Sequence, residues 1–224
     1  AAFVEKLCVK YNVSSTDCEG YNPEKDEVVE FQIGKAYKKA NVPEQNLIHG
    51  VTKYFNGQTI ITYVQSNSMY YEPPKRVMNV IASKGNKLQI ELYFDYLVET
   101  MNKLADEAKK SGGYGTARQT YKTNWKKGFS KKIADRLLAM KNEQKRNGKP
   151  ELNEPALVVL NRNSIEQKAT LAFLNEQYPD RTKSRRTRHS GIGYSDGSSR
   201  AEDIGLHKQT TGRDTSPTLA LTGN

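Results

Sequence analysis

Apolar residues recur at helical spacing in two long segments that follow one another along the chain. The pattern predicts one helix over residues 88–110 and a second over residues 116–144, separated by the break Ser111-Gly112-Gly113. The first stripe contains Leu92, Tyr96, Met101 and Leu104, and the second contains Tyr121, Trp125, Phe129, Ile133 and Leu137. We therefore expect the two helices to pack against each other as a hairpin.

Gly128 lies inside the second stripe. A glycine in a helix interior costs about 1 kcal/mol relative to alanine. We interpret its presence as a sign that another backbone approaches closely at this point.

The segment before the hairpin predicts a small sheet. Residues 58–65 and 76–82 are rich in β-branched residues and are expected to pair as an antiparallel ribbon, with residues 28–33 as a candidate third strand. A helix is predicted from Glu44, because Pro43 suits a first helical turn.

The two ends of the chain have different characters. In residues 1–10 the spacing of Phe3, Leu7 and Tyr11 predicts a helix without a cap, whose first turns are expected upstream. Residues 156–160 fit either a short buried strand or the start of a helix, and Ser164 is a candidate cap for a helix over residues 165–178. After Pro179 the chain is rich in Gly, Ser and Thr, which is typical of a tail that does not fold alone.

Together these elements predict an α+β fold, in which a small antiparallel sheet packs against a long helical hairpin, with an N-terminal helix and an extended basic C-terminal tail. The expected parts are residues 1–20, the remnant of an N-terminal helical hairpin, residues 21–179, the α+β core, and residues 180–224, the tail.

Charge is concentrated in the second long helix. The chain carries a formal charge of +10, and residues 109–149 alone contain thirteen Lys or Arg against two acids, an excess of +11. Residues 181–188, RTKSRRTR, add five more cations without an acid. Such clusters favour binding to the phosphates of nucleic acid. The residues expected to contact phosphate are Arg118, Lys122, Lys126, Lys127, Lys131, Lys132, Arg181, Lys183, Arg185, Arg186 and Arg188.

A purely structural interpretation of the same helix stays open. Lysine stems can cover a partner helix while their ammonium groups meet water or acids. The acids available on the preceding helix are Glu91, Glu99, Asp106 and Glu107.

Sequence motifs for catalysis are absent. The chain has no phosphate-binding Walker loop, no nucleophile elbow and no HExxH, and its three histidines, His49, His189 and His207, are scattered. The two cysteines, Cys8 and Cys18, lack metal-ligand spacing and are expected as reduced thiols, although a disulfide between them is an alternative. We expect no enzyme activity, no metal, no cofactor and no membrane span.

Three segments together resemble the domain of unknown function 2786 family of bacterial, plasmid and phage proteins. They are AAFVEKLCVKYNVSSTD at residues 1–17, the paired segments LYFDYLVETMNKLADEA and RQTYKTNWKKGFSKKIADRL, and GYSDGSSRAEDIGL at residues 193–206. Residues 28–82 depart most from the family pattern. The family has no defined catalytic residues, so none is implied here. The resemblance implies an origin in a phage or mobile element.

These observations predict a non-enzymatic basic protein that binds nucleic acid, without sequence preference, inside a nucleoprotein assembly in the bacterial cytoplasm. The alternative is a structural component of a virion or other large complex, in which neighbouring protein subunits order the tail.

Overall fold

A computed structural model describes residues 27–37, 41–65, 74–111, 118–147, 154–182 and 191–206. Within these ranges it contains three strands and five helices, which confirms the predicted α+β class. The strands are β1 (Val28–Tyr37), β2 (Gln58–Val64) and β3 (Lys75–Ser83). The helices are α1 (Val42–Tyr54), α2 (Lys84–Ser111), α3 (Arg118–Asn147), α4 (Glu154–Gln177) and α5 (Tyr194–Arg200). The predicted N-terminal helix lies outside the described residues.

The sheet is antiparallel, and β3 lies between β1 and β2. Val80 of β3 faces Phe31 of β1 on one side and Thr59 of β2 on the other. The predicted β2–β3 ribbon and the third strand are both confirmed. Because helices cover both faces of β3, its residues are buried in succession rather than alternately.

The main core lies between one face of the sheet and helices α1, α2 and α3. Pro43 stands in the first turn of α1, as its sequence position predicts. Helices α2 and α3 pack as the predicted hairpin, and Trp125 and Phe129 stack in its interior with ring centroids 5.2 Å apart.

Helix α4 packs on the other face of the sheet. It begins at Glu154, so the strand interpretation of residues 156–160 is wrong, and Ser164 lies inside the helix rather than at its cap. A short apolar run cannot be assigned to strand or helix from periodicity alone. Contacts to the turn after α1 hold α4 in place: Asn56 Nδ2 donates to Glu166 Oε2 (3.0 Å), and Thr170 Oγ1 donates to the Asn56 carbonyl (2.9 Å).

Residues 191–206 differ from the extended tail that their composition suggests. Helix α5 packs across α3, and Ala201 and Leu206 are buried in the core. Tyr93 of α2 donates to the Leu206 carbonyl (3.1 Å). Few apolar side chains are needed here, because glycines let the two backbones come into direct contact.

Candidate functional site

The basic helix α3 packs against three neighbouring helices, α1, α2 and α5. Toward α1, a methyl group on Gly50 would lie 2.7 Å from Ala134 Cα, so the two backbones nearly touch. Asn46 Nδ2 also donates to Ser130 Oγ (3.2 Å) across this contact.

The crossing of α3 with α5 is closer still, and it depends on a glycine in each helix. A methyl group on Gly128 would overlap the Tyr194 carbonyl, and one on Gly197 would overlap the Trp125 carbonyl. Backbone atoms cannot swing aside as a flexible side chain can. The close approach predicted from Gly128 is therefore present, and its partner is α5.

Three of the predicted phosphate ligands are instead bound to neighbouring elements. Lys122 pairs with Asp106 of α2, which was one of the acids expected as a partner. Lys126 donates to Asn102 Oδ1 of α2 (2.5 Å). Lys132 pairs with Glu202, just beyond α5 (2.6 Å). We call Lys122, Lys126, Lys132 and Arg136 the inner cations.

Arg136 joins the inner cations although it was not among the predicted ligands. Its guanidinium donates to the carbonyls of Ala201 and Ile204, the latter at 2.9 Å. Both carbonyls lie in the segment that follows α5. A positive charge thus satisfies backbone acceptors at the end of that helix, where cations are favoured.

Part of this inner side is withdrawn from water, and the pKa values of the groups there shift accordingly. Burial lowers the pKa of Lys126. Burial also raises the pKa of Glu44, against an opposing effect from the nearby Lys126 charge, and Tyr37 donates its hydroxyl to the same carboxyl group. At the exposed edge, the hydrogen bond from Lys122 lowers the pKa of Asp106.

Three further cations of α3 are exposed or half-buried, and we call Arg118, Lys127 and Lys131 the outer cations. Lys141 is buried instead and donates to the Lys53 carbonyl. Arg118 is exposed in the first turn, Lys127 is half-buried, and Lys131 is exposed one turn further on. The Lys131 side chain is 52% exposed and pairs with Asp135 of its own helix, whereas that of Lys122 is only 19% exposed. Arg118 and Lys131 are therefore open to solvent, and Lys127 is partly so.

The second basic cluster is described only at its first residues. Arg181 is exposed and donates to Asn175 Oδ1 (2.5 Å) and to the Tyr178 carbonyl (3.0 Å). Lys183, Arg185, Arg186 and Arg188 lie outside the described residues. The next described residue is Gly191, where an added methyl group would lie 2.9 Å from Asn124 Nδ2 of α3.

Few other groups in the described ranges are candidates for catalysis or ligand binding. His49 is exposed, and its Nδ1 lies 3.2 Å from Thr59 Oγ1. His189 and His207 lie outside those ranges. A cleft of about 450 Å³ lies between α2, α3 and α5, lined by Tyr121, Trp125 and Asp196 among others. No group of three or more metal-ligating side chains comes together in the part of the chain described.

The sequence did not predict that the segment around α5 packs against α3 and binds its cations. Glu202 and the carbonyls that Arg136 binds come from a region with little apolar periodicity, so its pattern gave no sign of packing. Gly128 was the only available signal, and it indicated a close approach without naming the partner.

Comparison of the chain with protein-family models, curated proteins and solved structures gives no significant match. The resemblance to the domain of unknown function 2786 family stays a prediction. No helix among the described residues is long and apolar enough to cross a membrane.

Proposed function

We propose that this chain is a non-enzymatic polyanion-binding protein that contacts nucleic-acid phosphates through the outer cations of α3 and the basic run 181–188. One observation carries the proposal: Gly191, three residues after the end of the basic run, lies against Asn124 of α3, one turn before Lys127. The inner cations are reassigned to holding the fold together.

The length of the connecting chain allows the two basic clusters to reach one ligand. Arg188 precedes Gly191 by three residues, so their Cα atoms are at most about 11 Å apart. Asn124 precedes Lys127 by three residues, which places them as neighbours on the helix surface. The end of the run and Lys127 can therefore contact neighbouring phosphates of the same strand.

This arrangement supports binding that is independent of base sequence. Lysine and arginine on an open helix surface neutralise phosphates and release counterions, so affinity falls steeply with salt. The residues proposed for this role are Arg118, Lys127, Lys131, Arg181, Lys183, Arg185, Arg186 and Arg188. A nucleoprotein assembly of a phage or mobile element, in the bacterial cytoplasm or a virion, is the setting that we propose.

The test measures binding to a mixed-sequence DNA duplex and to an RNA across a salt series. Lys127→Glu/Lys131→Glu and Arg185→Gln/Arg186→Gln/Arg188→Gln should each weaken binding and flatten its salt dependence. The matched control for the lysine pair is Lys103→Glu/Lys168→Glu, which makes the same charge change on exposed positions of α2 and α4.

Equal weakening by the control would show that only net charge matters and would contradict a defined surface. Absence of binding to both nucleic acids at low salt would exclude the proposed function.

A second candidate, a structural subunit of a virion or other complex, is supported by the edge strand β2. Ile61, Tyr63 and Val64 are exposed there, Tyr63 by 61%. Strand β2 lies at one edge of the sheet, and apolar edge strands are suited to pairing with another chain. A Tyr63→Glu variant that no longer joins a larger particle, but still binds nucleic acid, would support this role.

A further inference from the structure

Helix α2 carries an apolar stripe on its solvent side. Leu88, Leu92 and Tyr96 follow one another at four-residue intervals and are 64%, 63% and 41% exposed. The opposite side of the same helix buries Ile90 and Phe94 in the core. Two leucines and a tyrosine in one exposed row indicate a docking surface rather than scattered surface residues.

The start of the described chain lies at one end of this stripe. The Lys84 backbone N–H, in the first residue of α2, donates to the Glu27 carbonyl (2.9 Å), and the two side chains form an ion pair (2.9 Å). The 26 residues that precede Glu27 therefore continue from a point one turn away from Leu88. They contain the apolar series Phe3, Leu7 and Tyr11, which has the same four-residue spacing.

We propose that residues 3–11 bind the α2 stripe as an antiparallel helix. In this arrangement Tyr11 lies near Leu88, Leu7 near Leu92 and Phe3 near Tyr96. The fifteen linking residues, 12–26, can span up to about 50 Å, and the stripe is about 12 Å long. The length of the link permits the contact without strain.

The charged residues beside the two apolar series favour the antiparallel orientation, and they favour residues 3–11 over a second copy of α2. Glu91 and Asp95 flank the stripe on one side of α2, and Lys10 and Lys6 flank the apolar series on the corresponding side of the segment. Antiparallel packing brings Lys10 to Glu91 and Lys6 to Asp95. A second copy of α2 would instead bring these acids toward the same acids of its partner, so the chain's own segment is the better match.

Disulfide trapping in the full chain tests the contact. In a Cys8→Ser/Cys18→Ser background, Lys6→Cys is combined with Asp95→Cys, which leaves every apolar residue of the proposed interface intact. The matched control combines Lys6→Cys with Lys168→Cys, an exposed position on α4. The readout is the fraction of monomer with an internal disulfide in a thiol redox buffer, measured by mass.

We expect the effective concentration for the Lys6→Cys/Asp95→Cys pair to exceed that of the control roughly a hundredfold, because docking holds the two thiols together. Adding Leu92→Asp should return it to the control value. Equal values for the two pairs would overturn the proposal. A product consisting mainly of disulfide-linked dimers would also overturn it, since a second copy would then occupy the stripe.

Discussion

The two sides of α3 carry the same kind of residue and use it differently. On the inner side, Lys122 reaches Asp106 and Lys132 reaches Glu202, and their side chains are 19% and 35% exposed. On the outer side, Lys131 meets an acid of its own helix and is 52% exposed. A helix can therefore be basic around most of its circumference while only part of its surface is available to a ligand.

The inner side also explains how a polar segment is ordered. Residues 191–206 supply few apolar groups, yet they are held by a glycine crossing, by Arg136 and by Lys132. The cations of α3 thus contribute to folding where acceptors are present. They remain open to a ligand where water is the main neighbour.

Breaking the glycine crossing should have the largest effect on stability. Gly128→Ala places a methyl group against the Tyr194 carbonyl, and we expect a loss of about 3 kcal/mol in the free energy of unfolding by urea, from overpacking against backbone. In Gly205→Ala, where nothing lies within 4 Å, the change should stay within about 0.5 kcal/mol. Without the crossing, Gly128→Ala would stabilise the helix by about 1 kcal/mol, so a gain in stability would contradict the account.

Removing an inner cation should cost less, but more than removing an outer one. Arg136→Ala leaves the Ala201 and Ile204 carbonyls without their charged donor, and we expect a loss of about 2 kcal/mol in the same unfolding measurement. Lys131→Ala on the outer side should change stability by no more than about 0.5 kcal/mol. Equal losses for the two variants would remove the distinction between the sides.

The ion pair of Lys122 with Asp106 should contribute a smaller amount. Because its carboxylate is exposed, a double-mutant cycle with Lys122→Met and Asp106→Asn should give a coupling of about 0.5 kcal/mol, reduced by added salt. The lowered pKa of Asp106 means that this stability is present above the ordinary carboxyl pKa and is lost as the pH falls through the folded-state value. A coupling that grows on acidification would be inconsistent with the pair.

The smallest expected effect is a pH dependence at Glu44. Burial raises the pKa of this carboxyl, so its contribution to stability is full below the ordinary carboxyl pKa and is lost as the pH rises through the folded-state value. Relative to Glu44→Gln, the wild-type protein should therefore lose stability as the pH rises above the ordinary carboxyl pKa. Unfolding curves of both proteins over this rise in pH provide the check, and a relative gain by the wild type would show that the ionised form is favoured.

Much of the fold could be predicted from the sequence because its signals are local. The period of the stripes in α2 and α3, the β-branched runs of β2 and β3, and Pro43 each act through neighbouring residues. The start of α4 could not be predicted, because its apolar run fits both strand and helix. The packing of α5 was missed because it depends on a backbone contact with a helix some seventy residues earlier in the chain.

The candidate site was only partly predictable for a related reason. Counting charges identifies α3, but it does not show which lysines meet acids or carbonyls after folding. Asp106 was an expected partner of the basic helix because it lies on the preceding helix. Glu202 and the two carbonyls bound by Arg136 come from a segment that the composition had placed in a tail.

The most direct test of the central claim compares inner and outer lysines in nucleic-acid binding. Lys127→Gln/Lys131→Gln and Lys122→Gln/Lys132→Gln each remove two positive charges from α3, and both proteins are compared at a temperature where circular dichroism shows them folded. The account predicts that the outer pair lowers the slope of log affinity against log salt by about 2, while the inner pair leaves it close to that of the wild type. Equal reductions by the two pairs would contradict the division of α3 into a packed side and a binding side.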